Sequence, residues 1–181
     1  MFAAAAGPNF APVQPFWRRT YTGAMRLWIA AIGSRPRQAF EDLAQLYLAR
    51  IGPLLPGGGK TEAPFFKTEQ ALWEAVERER ARTAPLLVLL DERGRQMGSE
   101  AFATWIGRER DEGRQLIIFA VGPADGWTHA QAPSQSGSGA VQLSLSAMTL
   151  PHELARVLLC EQVYRALTIL KGHPYHRAGS R

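Results

Sequence analysis

Met25–Ile32 (MRLWIAAI), Pro85–Leu90 (PLLVLL) and Leu116–Val121 (LIIFAV) are short runs of almost uninterrupted apolar residues. A strand with one wet face alternates apolar and polar side chains, whereas these runs leave nothing for water on either side. Strands of that kind belong in a sheet covered on both faces, and parallel order follows when helical segments lie between them. Helical segments do lie between them. Arg37–Ile51 places Phe40, Leu43, Leu46, Tyr47 and Ile51 at spacings of three and four, and Thr68–Arg82 and Ser99–Arg110 supply two more helices. A short strand is expected at Val141–Leu145. A last helix should open at Pro151, where a missing amide hydrogen costs nothing, and run to Leu170 with Val157, Cys160, Tyr164 and Leu167 as its core stripe. The expected class is α/β, a mostly parallel sheet with helices on both faces.

The 181 residues suit a single domain, and 46% apolar content excludes a chain disordered throughout. A single cysteine, Cys160, makes an intrachain disulfide impossible and fits a reducing, cytoplasmic setting. Lys and Arg exceed Asp and Glu by 21 − 16 = 5, a surplus that favours polyanionic partners without choosing among them. Residues 1–24 read as a separate extension, dispensable or untranslated, with folding expected from Met25. They contain Pro8, Pro12 and Pro15 and no acid, the first acidic residue being Glu41. The prolines rule out a membrane-spanning helix there, and the segment lacks the basic start and continuous apolar run of a signal peptide. Gln131–Gly139 is Ser/Gly-rich and reads as a loop.

Several familiar motifs are incomplete. Gly59-Lys60-Thr61 ends like a phosphate-binding loop, but the glycine required five positions earlier is Leu54. His152-Glu153 begins a zinc-protease motif whose second histidine is replaced by Arg156. His173 and His176 stand in a Pro-containing tail with no nearby Cys or carboxylate in sequence, so no metal is expected. Gly122-Pro123-Ala124-Asp125-Gly126 lacks the dinucleotide-binding spacing, and Pro123 stops a helix from opening there. Cys160 falls on a core stripe and reads as a small buried apolar residue.

The C-terminal third gathers the remaining chemistry. Arg156, Arg165, Lys171, Arg177 and Arg181 face only Glu153 and Glu161 between Leu150 and the end, and His152, His173 and His176 are there too. His152 and Arg156 share a helix face. Arg165, nine residues beyond Arg156, lies on the opposite face and is four residues from Glu161, a partner for it. The tail Gly172–Arg177 mixes aromatic, imidazole and guanidinium groups, which stack on unpaired bases and hold phosphates; a frayed terminus has the same composition.

The run LSLSAMTLPHELARVLLCEQVYRALTILKGHPYHR, residues 143–177, resembles the C-terminus of the RlmH family, SPOUT-superfamily methyltransferases of the large ribosomal subunit. The resemblance extends to MRLWIAAIG from Met25, to the strand ending at Leu90-Asp91 and to the strand leading to Gly122. It implies a SPOUT-type fold with a C-terminal trefoil knot, S-adenosylmethionine (SAM) as cofactor, a homodimer, and methylation of N3 of a pseudouridine in 23S rRNA. Leu90, Val121, Gly122, Leu145, Ser146, Ala147, Met148, Thr149 and Leu150 would hold the cofactor. His152, Arg156, Arg165, Lys171 and Arg177 would bind RNA, and Tyr175, His176 and Arg177 would meet the target base. The sulfonium already activates the methyl group, so the protein must add alignment and a route for the N3 proton, for which His176 is the natural acceptor. The assembled ribosome is the expected substrate, since so few cations bind naked RNA weakly at physiological salt. The alternatives are a SPOUT enzyme acting on another base and a non-catalytic ribosome-binding factor.

The chain departs from that family in three places. Val121-Gly122 stands where two adjacent glycines are usual, and the branched side chain is expected to crowd the cofactor. A strand expected after the first helix is not evident in Gly52–Pro64, and Gln131–Gly139 lacks a helical pattern.

Overall fold

A computed structural model describes residues 23–123, 125–128 and 140–179, the last three of these by backbone alone. The N-terminal extension up to residue 22, the Gln131–Gly139 loop and the side chain of Arg177 lie outside the described residues.

The three apolar runs are strands: β1 (Arg26–Ile32), β4 (Leu86–Gln96) and β5 (Leu116–Val121). With β2 (Thr61–Glu62), β3 (Phe65–Phe66) and β6 (Val141–Ser144) they form one sheet in the order β2-β1-β5-β4-β6, with β3 also against β1 and every pairing parallel. Strand periodicity divides their side chains between two cores. Leu27, Ile29, Ile117, Phe119 and Val88 face α1 (Gln38–Ile51), α3 (Ser99–Asp111) and α4 (His152–Leu170). Trp28, Ala30, Ile118, Ala120 and Leu89 face α2 (Glu69–Arg80). The sheet is covered on both faces, which is why its central strands are apolar throughout.

Four local expectations are corrected. The strand that was not evident after α1 exists as β2 and β3, two residues each, paired with β1 at Leu27↔Thr61 and Ala31↔Phe65. They are too short for a hydrophobic period to register. β4 runs six residues past Leu90, because the polar stretch Asp91–Gln96 resumes pairing with β6 after a register shift between Leu90 and Arg95. On α1 the buried stripe is Ala44, Leu48 and Ile51, while Leu43 and Leu46 remain 47% and 44% exposed. The helix packs along one side against α4, through Tyr47 and Tyr164, so only one edge of the apolar arc is used. Pro151 precedes the first helical residue of α4 as its cap rather than occupying the first turn.

Helix ends are held locally and at a distance. Thr68 caps α2 by accepting the Ala71 amide at 3.2 Å. No side chain caps α1 from its own sequence; instead Glu153 at the start of α4 accepts the Arg37 amide at 2.7 Å and its guanidinium at 2.9 Å. The expected trefoil knot depends on the connection through residues 129–139, which lies outside the described residues.

Candidate functional site

Parallel strands bring their carboxyl ends to one edge of a sheet, and ligands of such sheets bind in the crevice beyond that edge. Here a cleft of about 680 Å³ opens where β5, the buried half of β4 and β6 end, within the range that small-molecule ligands occupy. Its walls come from three stretches of chain. Leu90–Arg93 belong to β4 where its pairing with β6 shifts register, Val121–Pro123 and Asp125–Trp127 end and follow β5, and Leu145, Ser146 and Met148–Leu150 follow β6, with His152 and Ala155 of α4 closing one side.

Of the nine residues expected to hold a cofactor, eight line this cleft: Leu90, Val121, Gly122, Leu145, Ser146, Met148, Thr149 and Leu150. Ala147 sits at the turn but does not line it. The turn is shaped by Ser146, whose hydroxyl accepts the Met148 amide at 2.9 Å, and by Ser144, whose hydroxyl donates to the Ser146 carbonyl at 2.8 Å. Thr149 donates its hydroxyl to Glu92 of β4 at 3.2 Å and ties the turn to that strand. Met148 is 77% exposed, an apolar side chain left open at the cleft among the described residues. Val121, the branched residue in the place of a glycine, lines the cleft while being 3% exposed, with its side chain in the core under α3 and α4.

The structure buries Arg156, one of the residues expected to bind RNA. Its side chain is 3% exposed, salt-bridged to Glu41 at 2.7 Å and laid over the Phe65 ring at 4.5 Å. The sequence placed it correctly on a face with His152, but that face packs inward against α1 and β3. Burial pushes the Glu41 carboxyl up, yet hydrogen bonds from Gln45 and Arg156 and the charges of Arg156 and Arg35 outweigh it and hold the group below its ordinary range.

The tail forms a separate cluster. Arg165 binds Glu161 at 2.7 Å, and Tyr175 packs edge-on to Tyr164 at 4.7 Å with its hydroxyl donating to the same Glu161 oxygen at 3.2 Å. The Arg165 guanidinium also lies over the Tyr175 ring at 5.0 Å. His176 meets Glu100 of α3 at 3.2 Å. Burial, with hydrogen bonding to Tyr47 and the negative charge of Glu161, pushes the Tyr175 phenol up to about 12, so it stays protonated. Neither Tyr175 nor His176 lines the cleft. Lys171 is exposed at the end of α4. Cys160 is fully buried, which pushes its thiol up to about 12 and excludes a thiolate nucleophile. Among the described residues no group of three or more His, Cys, Asp or Glu is placed to hold a metal, and no helix is long and apolar enough to cross a membrane.

The family model for "Predicted SPOUT methyltransferase" matches residues 25–176. The chain belongs to the SPOUT methyltransferase family. Its methyltransferase relatives include "Ribosomal RNA large subunit methyltransferase H" of Koribacter versatilis, 46% identical over 152 residues that cover 84% of this chain and 98% of the relative. The protein of the same name from Rhizobium meliloti is 41% identical over 164 residues, covering 85% of this chain and all of the relative. Among solved structures, the SpoU methyltransferase AviRb from Streptomyces viridochromogenes, in complex with AdoMet, aligns with a TM-score of 0.41 at 15% identity, over 78% of this chain and 57% of that one.

Among the cleft-lining residues that sequence reasoning did not single out is Trp127. It lines the cleft and donates its indole N–H to the Leu90 carbonyl at 2.7 Å. Nothing in the local sequence marks it, since it follows Gly126 in an irregular loop and is assigned a place only by its contacts across the sheet.

Proposed function

We propose that this SPOUT methyltransferase transfers the methyl group of SAM to N3 of a pseudouridine in large-subunit rRNA, on the assembled ribosome, as a homodimer in the cytoplasm. The observation that carries the reading is the meeting of Leu90, Gly122 and the Leu145–Leu150 turn in one cleft at the carboxyl edge of the sheet. The residues there fit the cofactor. Leu90, Leu143, Leu145 and Leu150 offer an apolar bed for adenine, and Asp125, exposed at the cleft, offers a carboxylate to an ammonium group. The methyl-bearing sulfonium supplies a reactive group that needs no metal.

The remaining work belongs to the chain. As the N3–carbon bond forms and the sulfur–carbon bond breaks, the N3 proton must leave, and His176 is the group to accept it. Tyr175 is unsuited to that task because its phenol holds its proton to about pH 12; it can donate a hydrogen bond or stack instead. The tail lies away from its own cleft, so the second protomer is the one to present Tyr175, His176 and Arg177 to a bound base. His152, at the rim, and Lys171 are the phosphate contacts; Arg165 would have to give up part of its bond to Glu161 to join them, and Arg156 takes no part.

The test is methyl transfer from labelled SAM to ribosomes of a strain lacking the protein, with the modified nucleotide mapped. Label on N3 of a large-subunit pseudouridine is expected. Label on another base would keep the enzyme and discard the substrate, and SAM-independent ribosome binding without transfer would leave a binding factor. Mixing His176→Ala with Leu150→Arg protomers should restore part of the activity that each lacks alone; no recovery would overturn the pairing in trans.

A further inference from the structure

Trp127 is held in the cleft wall from three sides. Its N–H is committed to the Leu90 carbonyl at 2.7 Å, and its ring lies so close over Gly122 that a Cβ at that position would stand 2.9 Å from Cε2. The Trp73 indole packs against it at 5.6 Å between centroids, inclined by 32°. The next residue is clamped as well: Glu69 accepts both the Thr128 amide, at 2.9 Å, and the Thr128 hydroxyl, at 2.7 Å, and is itself 9% exposed. Glu69 and Trp73 are four apart and share one face of α2, the helix on the side of the sheet away from α1, α3 and α4. Among the described residues α2 contributes nothing to the cleft lining.

We propose that Trp127 is a cofactor-binding residue, the fixed aromatic wall on which the adenine of SAM packs, and that Trp73 and Glu69 position it from the far face of the sheet. The inference rests on the reading that this cleft holds SAM. An indole immobilised before the ligand arrives loses no rotamer freedom on binding, which is the advantage of preorganisation. A purine stacked on an aromatic side chain gains enough for a tenfold or larger change in affinity when the ring is removed. The glycine at 122 has the same explanation: the ring occupies the space a side chain would need. The inference makes cofactor affinity depend on α2, an element with no contact to the ligand.

The experiment measures equilibrium binding of SAM and of 5′-methylthioadenosine, which keeps the adenosine and lacks the amino acid, together with KM and kcat for SAM. Trp127→Ala should weaken both ligands by about tenfold or more, and Trp127→Phe, which keeps an aromatic face without the N–H, should recover most of it. Trp73→Leu and Glu69→Gln should raise KM severalfold while kcat at saturating SAM stays within about twofold, a split that loss of folding would not give. Unchanged binding of both ligands by Trp127→Ala overturns the proposal. So does loss of SAM with methylthioadenosine retained, since the ring would then not be serving adenine. Leu150→Arg, which fills the cleft from another wall, separates the two layers. If it leaves SAM binding intact the cleft reading fails; if it abolishes binding while Trp127→Ala does not, only the role of Trp127 fails.

Discussion

Removing Glu41 should destabilise the protein far more than removing its partner Arg156. Arg156 has nowhere to go: its side chain is 3% exposed, and its Nε and Nη2 have no hydrogen-bond partner among the described residues. The Glu41 carboxylate and the Phe65 ring therefore offset most of the cost of burying that charge. Breaking a buried pair by neutralising one partner costs about 3–5 kcal/mol when the other charge is stranded, and Glu41→Gln falls at the low end, near 3 kcal/mol, because the amide oxygen still accepts a bond. At roughly 2–4 °C per kcal/mol for a chain of this size, the melting temperature should fall by about 6–12 °C. Arg156→Met is different. The carboxylate it leaves is 26% exposed, keeps its bond from Gln45 at 2.6 Å and can hydrate, while the methionine fills the space against Phe65, so about 1 kcal/mol is expected. The double variant should resemble Arg156→Met alone, a coupling near 3 kcal/mol by denaturant titration. The pH dependence follows the same pair. The folded Glu41 titrates below its ordinary value of 4.5, so its contribution is whole above that pH and is lost as pH falls through the folded value. Wild type and Glu41→Gln should therefore converge in acid. Equal losses for the two single variants, or losses that add, would refute the account.

Three further outcomes follow from other contacts. Gly94→Ala would place a Cβ 2.6 Å from the Leu143 nitrogen and 2.7 Å from the Gln142 carbonyl carbon, backbone atoms that cannot turn aside. It should cost about 2–3 kcal/mol in thermal unfolding and weaken SAM binding by shifting the strand that leads into the Leu145–Leu150 turn. His176→Ala should lower kcat by about 10²- to 10⁴-fold with SAM affinity unchanged in a binding assay, and normal turnover at saturating substrate would remove it as the proton acceptor. Cys160 should resist thiol reagents in the native protein and react once the chain is unfolded, because the thiol is buried and titrates near 12.

The class of fold was legible because it is written in composition along short windows. A strand apolar on both faces has one stable home, and β1, β5 and the buried half of β4 lie where those runs occur. The turn that borders the cleft was legible for a different reason: Leu145–Leu150 is contiguous, so a resemblance in sequence carries its residues together. What the sequence could not decide was the direction in which a given face points. Phe40, Leu43, Leu46, Tyr47 and Ile51 form an apolar arc on α1 by spacing alone, but which edge of it meets α4 depends on how two helices 100 residues apart settle on the sheet, and Leu43 and Leu46 were left outside. Arg156 shows the same limit, since a guanidinium four residues from His152 reads as a phosphate ligand until Glu41, 115 residues earlier in the chain, is found against it. Trp127 had no local signal at all; its role comes from Leu90, Gly122 and Trp73, each on a different element. Local physics determined the three apolar strands and the four helices, and a contiguous motif marked the turn that borders the cleft. Tertiary packing decided which charges are buried, which apolar faces stay exposed and which side chain walls the cleft, because those depend on neighbours that only the folded chain brings together.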